Sequence, residues 1–352
     1  MEFTSEDIRN LIIENIEDHP SDISALVGEK FSISRQAVHL HLKNLEEEGV
    51  ISSEGSTRGK KYFLRVMLEQ HWTIPLSSGL QEDRMWREYI EPLMKQLNIK
   101  PNVTDICHYG FTEMVNNVLD HSQAQTFSPH FKATAKNIRM SVSDNGVGIF
   151  EKIKQAYKLE DHRHAILELA KGKVTVDPER HTGEGIFFTT RMFDYFAIMS
   201  GRLFYSRKSK GDDWLIEDKD SDHHGTYVVM EIDRNSLRTA KEVFDKFASE
   251  AHNYGFTKTH VPVKLAIYGH ENLISRSQAK RLLARFDKFK EVLLDFEGVE
   301  RIGQAFADEI FRVYKNEHPN VEIVWIRTNQ EVEKMIQRSQ NGGLSGQSHS
   351  HD

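Results

Sequence analysis

The chain predicts a multidomain fold of mixed α/β class. Three observations predict it. Its 352 residues are more than one compact domain usually holds. Helical periodicity crowds the N-terminal stretch and gives way to a glycine-punctuated alternating segment. From residue 258 onward, strand-like and helix-like segments alternate, which indicates an α/β layer arrangement. With 38% hydrophobic and 10% aromatic residues the chain can fill several cores.

Bulk properties set bounds on function. Cys107 is the only cysteine, so neither a disulfide framework nor a thiolate zinc cluster is expected. No run approaches the roughly 18 apolar residues of a membrane span. The opening MEFTSEDIRN is acidic and lacks a signal peptide's layout. A cytoplasmic setting with no membrane partner is therefore expected. The formal charge of −7 argues against coating nucleic acid through charge alone, though local basic patches remain available.

The first segment is residues 1–75. Thr4 caps a helix with Ile8, Leu11, Ile12 and Ile16 on one face, ended by His19-Pro20. Residues 21–29 form a short second helix. Ser34 caps a third, SRQAVHLHLKNLEEEGV, which buries Val38, Leu42 and Leu45 and ends at Gly49. ISSEGSTRGKKYFLRV then alternates like a hairpin around Gly55 and Gly59. Three helices and a basic-tipped hairpin resemble a winged helix-turn-helix. The resemblance implies double-stranded DNA as partner, with Ser34, Arg35, Gln36 and His39 at base edges. Lys43, Arg58, Lys60 and Lys61 would meet phosphates. Between Lys30 and Arg65 seven basic residues face four acidic ones, so charge is segregated as a DNA-facing surface requires. Protein docking or dimerisation is the bland alternative. A homodimer on a palindromic site is an open expectation.

Residues 76–79 look like a linker, and the second segment is 80–235. QEDRMWREYIEPLMKQL is an amphipathic helix, and a longer one, VTDICHYGFTEMVNNVLDHS, follows Pro101. Glu113 and Asn117 are four apart and share a face, with His121 four further on. Alone, that spacing is more often a solvated helix edge. SVSDNGVGI places Asp144, Gly146 and Gly148 after a strand, where a tight turn is the simple reading. HTGEGIFFTTR runs Gly183 and Gly185 into a helix N-terminus, a place suited to phosphate. HHGTYVVMEID puts Thr226 at the start of a β-prone strand.

Taken in order, these motifs resemble the GHKL ATPase superfamily of gyrase, heat-shock chaperones, mismatch-repair ATPases, histidine kinases and anti-sigma-factor kinases. The resemblance implies a Bergerat-type α/β sandwich that binds ATP with magnesium. Asp144 would accept from the adenine amino group, aided by Thr226. Gly146 and Gly148 would admit the ring and ribose, and Gly183 and Gly185 would cradle phosphates. Asn117 would hold the metal, an oxygen ligand for a hard cation. Glu113 would act as general base. Residues 150–182 would form a lid with a surface loop, their bases covering phosphate. A histidine-kinase reading is disfavoured, because His108 lies within the helix of Glu113 and Asn117.

The third segment is 245–338. LLDFEGVERIGQAFADEIFRV resembles a STAS-type domain, the fold of anti-anti-sigma factors. Where phosphorylated members carry a target Ser, this chain has Gly303, Gln304 and Ala305, so a phosphorylation switch in cis is not expected. Asp308, Glu309 and Arg312 read as a solvated edge, and residues 339–352 as a disordered tail. The combined expectation is an ATP-hydrolysing regulator whose nucleotide state controls the DNA-binding and STAS-like units. An anti-sigma-type serine/threonine kinase acting on a STAS-fold partner is the alternative. A scaffold with a vestigial site is the third reading.

Overall fold

The computed structural model describes residues 3–56, 59–175, 182–209, 213–218, 220, 223–248, 255–267 and 271–341. Arg58, the middle of the expected lid at 176–181 and the tail from residue 342 lie outside these described residues.

The N-terminal unit packs α1 (Ser5–Asn15), α2 (Ile23–Phe31) and α3 (Arg35–Glu47) beside a hairpin of β1 (Ile51–Glu54) and β2 (Lys61–Leu64). Thr4 and Asp7 cap α1 reciprocally, and Ser34 Oγ caps α3 by accepting from Ala37 N at 3.2 Å. Ile12, Ile16, Val27, Val38, Leu42 and Ile51 form a core separate from the rest of the molecule. Each is almost wholly buried, which is worth roughly 1.5–3 kcal/mol per large aliphatic side chain.

The central unit is an eight-stranded antiparallel sheet. Its main path runs β3 (Leu68–His71), β5 (Thr126–Ala133), β6 (Asn137–Asp144), β10 (His223–Asp233), β7 (Tyr195–Gly201), β8 (Leu203–Lys208), β9 (Trp214–Glu217). β4 (Ile74–Pro75) also pairs with β5. Strands β3 and β4 fall within residues 1–75, so the sequence boundary cuts into the sheet: Leu68 pairs with Ala133 and His71 with His130. Past β2 the chain leaves the hairpin and pairs with this new partner.

Helices cover one face. The 21-residue α6 (Pro101–His121) buries Ile106, Phe111, Met114 and Val115. It is preceded by α4 (Glu82–Met85) and α5 (Glu91–Gln96), joined through a π-helical turn. Next come α7 (Ile149–Tyr157), α8 (His162–Lys171), α9 (Gly185–Met192) and α10 (Ala240–Phe247). The segment read as a lid differs from expectation, because every residue from His164 to Lys171 in α8 is buried. Lys171 Nζ is bound to Glu168 Oε1 at 2.6 Å, so this base covers no phosphate.

The C-terminal unit is a parallel sheet of β11 (Lys258–Pro262), β12 (Glu291–Asp295) and β13 (Glu322–Ile326). It carries α11 (Arg276–Leu283), α12 (Gln304–Asp308), α13 (Lys315–Glu317) and α14 (Gln330–Asn341). α14 runs to Asn341, beyond the expected start of the tail at residue 339. Glu309 is buried and 3.8 Å from Lys280, unlike the solvated edge expected of it, and stands at the start of the π-helical turn that follows α12. Gly303 and Gln304 stand at the start of α12, where Gly303 N donates to Leu273 O at 2.8 Å.

Candidate functional site

A cavity of about 320 Å³ lies between the helical layer and the ends of β6 and β10. It falls at the lower end of the range of small-molecule sites. Glu113 and Asn117 enter from α6, Asp144 from β6, Gly148 from the turn before α7, Gly183 and Gly185 from the loop into α9, and Thr226 from β10. The chain thus brings together residues that are more than a hundred positions apart. Gly146 is the exception. It lines no part of the cavity; its backbone packs against α6, where an added Cβ would lie 2.0 Å from Ser122 O.

Asp144 is fixed at the floor. Gly146 N donates to its Oδ1 at 2.8 Å. Burial raises its carboxyl above the ordinary range, and bonds from Gly146 and Thr226 offset only part of that. Thr226 Oγ1 also accepts from Ile149 N at 3.0 Å, tying β10 to the start of α7. The close approach of these strands requires Gly225, at φ +79°, because a Cβ there would sit 1.9 Å from Asp144 O.

At the opposite end, Glu113 lies against Gly185. A Cβ on Gly185 would come within 1.9 Å of Glu113 Oε2. The carboxylate therefore occupies the space that the missing side chain leaves beside the N-terminus of α9. Asn117 stands one turn further along α6 on the same face. Glu113 and Asn117 offer oxygen donors, the set a hard cation prefers, and magnesium needs only one or two of these beside phosphate oxygens. The residues present thus fit a metal that completes its shell with ligand oxygens. Among the described residues no cluster of three His, Cys, Asp or Glu could cage a metal unaided.

The structure adds residues to the site. Lys152 on α7, Leu169 on α8, Glu184 between the two glycines, and Val174 and Thr175 also line the cavity. Lys152 was legible as one of many bases in the 150–182 segment, but nothing in the sequence singled it out. Val174 N donates to Gly183 O at 3.1 Å, so this wall and the glycine loop are joined.

On the N-terminal unit, Ser34, Arg35, Gln36, His39 and Lys43 are exposed at or along α3. Ser34 Oγ is occupied as a cap, and Lys43 pairs with Glu47 at 3.4 Å. Lys61 is exposed, whereas Lys60 is turned toward α3, 3.2 Å from Glu46, and lies over the Tyr62 ring. Leu40, exposed beside these residues, was not anticipated.

A family model described as a STAS-like domain of unknown function (DUF4325) matches residues 278–333. This match runs from α11 into α14 and includes β12 and β13. No curated protein matches the chain. No helix among the described residues is long and apolar enough to cross a membrane.

Proposed function

We propose that the central unit is a GHKL-type ATP-binding and ATP-hydrolysing domain, and that its nucleotide state governs a DNA-binding winged helix and the STAS-like domain. The observation that carries this reading is convergence. Glu113, Asn117, Asp144, Gly148, Gly183, Gly185 and Thr226, drawn from separate motifs, all line one cavity.

Each residue has chemistry suited to its place. Asp144 accepts from the exocyclic amino group of adenine, and Thr226 holds that carboxylate in position. Gly148 leaves the cavity floor open to the ring. The backbone of Gly183 and Gly185 meets the terminal phosphates at the start of α9, where the helix dipole favours anions. Asn117 is the metal ligand on this chain, and magnesium when bound neutralises phosphate charge. Glu113 takes the proton of the attacking water as its oxygen bonds to the γ-phosphorus and the bond to the β–γ bridging oxygen breaks, leaving ADP and phosphate. General-base assistance of this kind contributes about 10²–10⁴-fold.

The DNA reading rests on the exposed row of Arg35, Gln36, His39 and Lys43, with Lys61 on the wing. The test follows the label of [γ-³²P]ATP with magnesium, for the wild type beside Glu113→Ala. Release as inorganic phosphate, lost by about 10²–10⁴-fold in the variant, supports hydrolysis. Label retained on protein supports the kinase alternative, and its absence from both fractions opposes either activity.

A further inference from the structure

The segment 172–175, of which Val174 and Thr175 line the cavity, is held from outside the central unit. Arg285 follows α11 in the C-terminal unit and itself adopts φ +66°. Its Nη2 donates to Gly172 O at 3.2 Å and also to Lys173 O. Its Nη1 donates to Glu168 Oε2 at 2.7 Å. Its guanidinium lies over the ring of Tyr157, 5.0 Å from the centroid. Tyr157 in turn grips the end of the wall: its hydroxyl donates to Thr175 O at 2.8 Å and accepts from Thr175 N at 3.1 Å.

The same seam has further ties. Lys171 Nζ donates to Ala284 O at 2.9 Å, and Thr259 Oγ1 to Lys171 O at 2.6 Å. Lys173 Nζ donates to Lys288 O at 2.8 Å. The wall passes this restraint on to the glycine loop, through Val174 N to Gly183 O at 3.1 Å. Gly183 is pressed so close that a Cβ would lie 2.5 Å from the Val174 carbonyl. A continuous set of contacts therefore runs from Arg285 to the loop that carries Gly185 and faces Glu113.

We propose that the C-terminal STAS-like domain is a structural part of the cavity: Arg285 is a positioning residue that sets the 172–175 wall, so affinity for ATP depends on how this domain is docked. The proposal rests on the nucleotide reading of the cavity and adds the source of its control. A guanidinium is suited to the task because its rigid planar fork presents its donors in fixed directions, so a carboxylate and two carbonyls are held in one geometry. By linkage, whatever loosens the docking weakens nucleotide binding, and bound nucleotide stabilises the docking by the same factor.

The test uses the full chain, with Arg285→Lys and Arg285→Gln beside the wild type. Arg285→Lys retains a charge opposite Glu168 and keeps the protein folded even where Arg285→Gln does not. Amide hydrogen exchange is measured without nucleotide, and KM and kcat for ATP are measured separately. The expected result for Arg285→Lys is at least tenfold faster exchange at Val174 and Thr175. KM should rise about tenfold and kcat change less than threefold. Unchanged exchange at those amides in a folded Arg285→Lys protein overturns the proposal, as does faster exchange with unchanged KM. A wild type that binds no ATP overturns the nucleotide reading instead; the exchange rates then decide alone whether Arg285 sets the wall.

Discussion

The two walls of the cavity are held by different parts of the molecule. The wall carrying Asp144 and Thr226 is bound within the central sheet, where β10 pairs with β6 from Tyr227–Ser143 to Asp233–Asn137. Its position follows from ladder hydrogen bonds and from a core of Met140, Val142, Val228 and Met230. The wall at 172–175 is fixed chiefly by side chains, Arg285 from the C-terminal unit and Tyr157 from α7, with one backbone bond from Val174 N to Gly183 O. A sheet-bound wall changes only if the domain opens. A wall held in part by a side chain from another domain is coupled to the position of that domain. The first therefore suits recognition, and the second suits control.

Three further experiments sharpen this comparison, and the largest effect is expected at the end of the cavity opposite Asp144. Gly185→Ala places a methyl carbon where Glu113 Oε2 now lies, so the carboxylate must turn away. The expected outcome is a loss of phosphate release of about 10²–10⁴-fold, matching loss of the base itself. The melting temperature should be nearly unchanged, since Gly185 is half-buried and Glu113 has room to swing into the cavity. Activity retained within a few-fold would mean that the contact between Glu113 and the α9 N-terminus is irrelevant to the chemistry.

A smaller effect belongs to a region outside both walls. Lys61→Ala should weaken binding to duplex DNA uniformly across sequences. The slope of log affinity against log salt should fall by about 0.9, one phosphate contact. Lys60→Ala should change the slope less, because Lys60 is already engaged with Glu46. ATP affinity without DNA should be the same in both variants. Equal slopes for the two lysines would show that the ion pair with Glu46 opens on DNA.

How far the sequence disclosed this architecture depends on the range of the interactions involved. Turn chemistry is local, so SVSDNGVGI and HTGEGIFF could be read as short motifs, and seven of the eight expected residues line the cavity. Gly146 shows the limit: its lack of a side chain serves packing against Ser122 and not the cavity, a distinction that depends on a contact 24 residues away. The seam lies further still from local reading. Glu168, Lys171 and Arg285 are ordinary surface residue types, and over a hundred positions separate the first two from the third. Lys171 read as part of a phosphate cover because a Lys facing a phosphate and a Lys buried against a Glu are identical in sequence. The β3 strand was missed for a related reason, since LEQH has no apolar alternation and is a strand only because β5 offers it an edge. The STAS-like unit was easier to read, because strands buried in a parallel sheet such as EVLLD form recognisable apolar runs.

The measurement that bears most directly on the central claim is equilibrium binding of ATP and GTP to wild type and Asp144→Asn over a range of pH. Burial raises the Asp144 carboxyl, so its charged form is disfavoured in the folded protein. Any stability from this shift is present below the unfolded carboxylate range and is lost as pH rises through the raised folded value. Ligand binding has the opposite sign: an amino donor prefers the carboxylate, so ATP affinity should fall as the pH drops through that raised value. The account predicts that the wild type binds ATP in preference to GTP with this acid dependence. Asp144→Asn should bind ATP about 10–150-fold more weakly, the worth of a hydrogen bond to a charged group, and lose the pH dependence. Equal affinity in the two proteins, or no preference for ATP in the wild type, would contradict it.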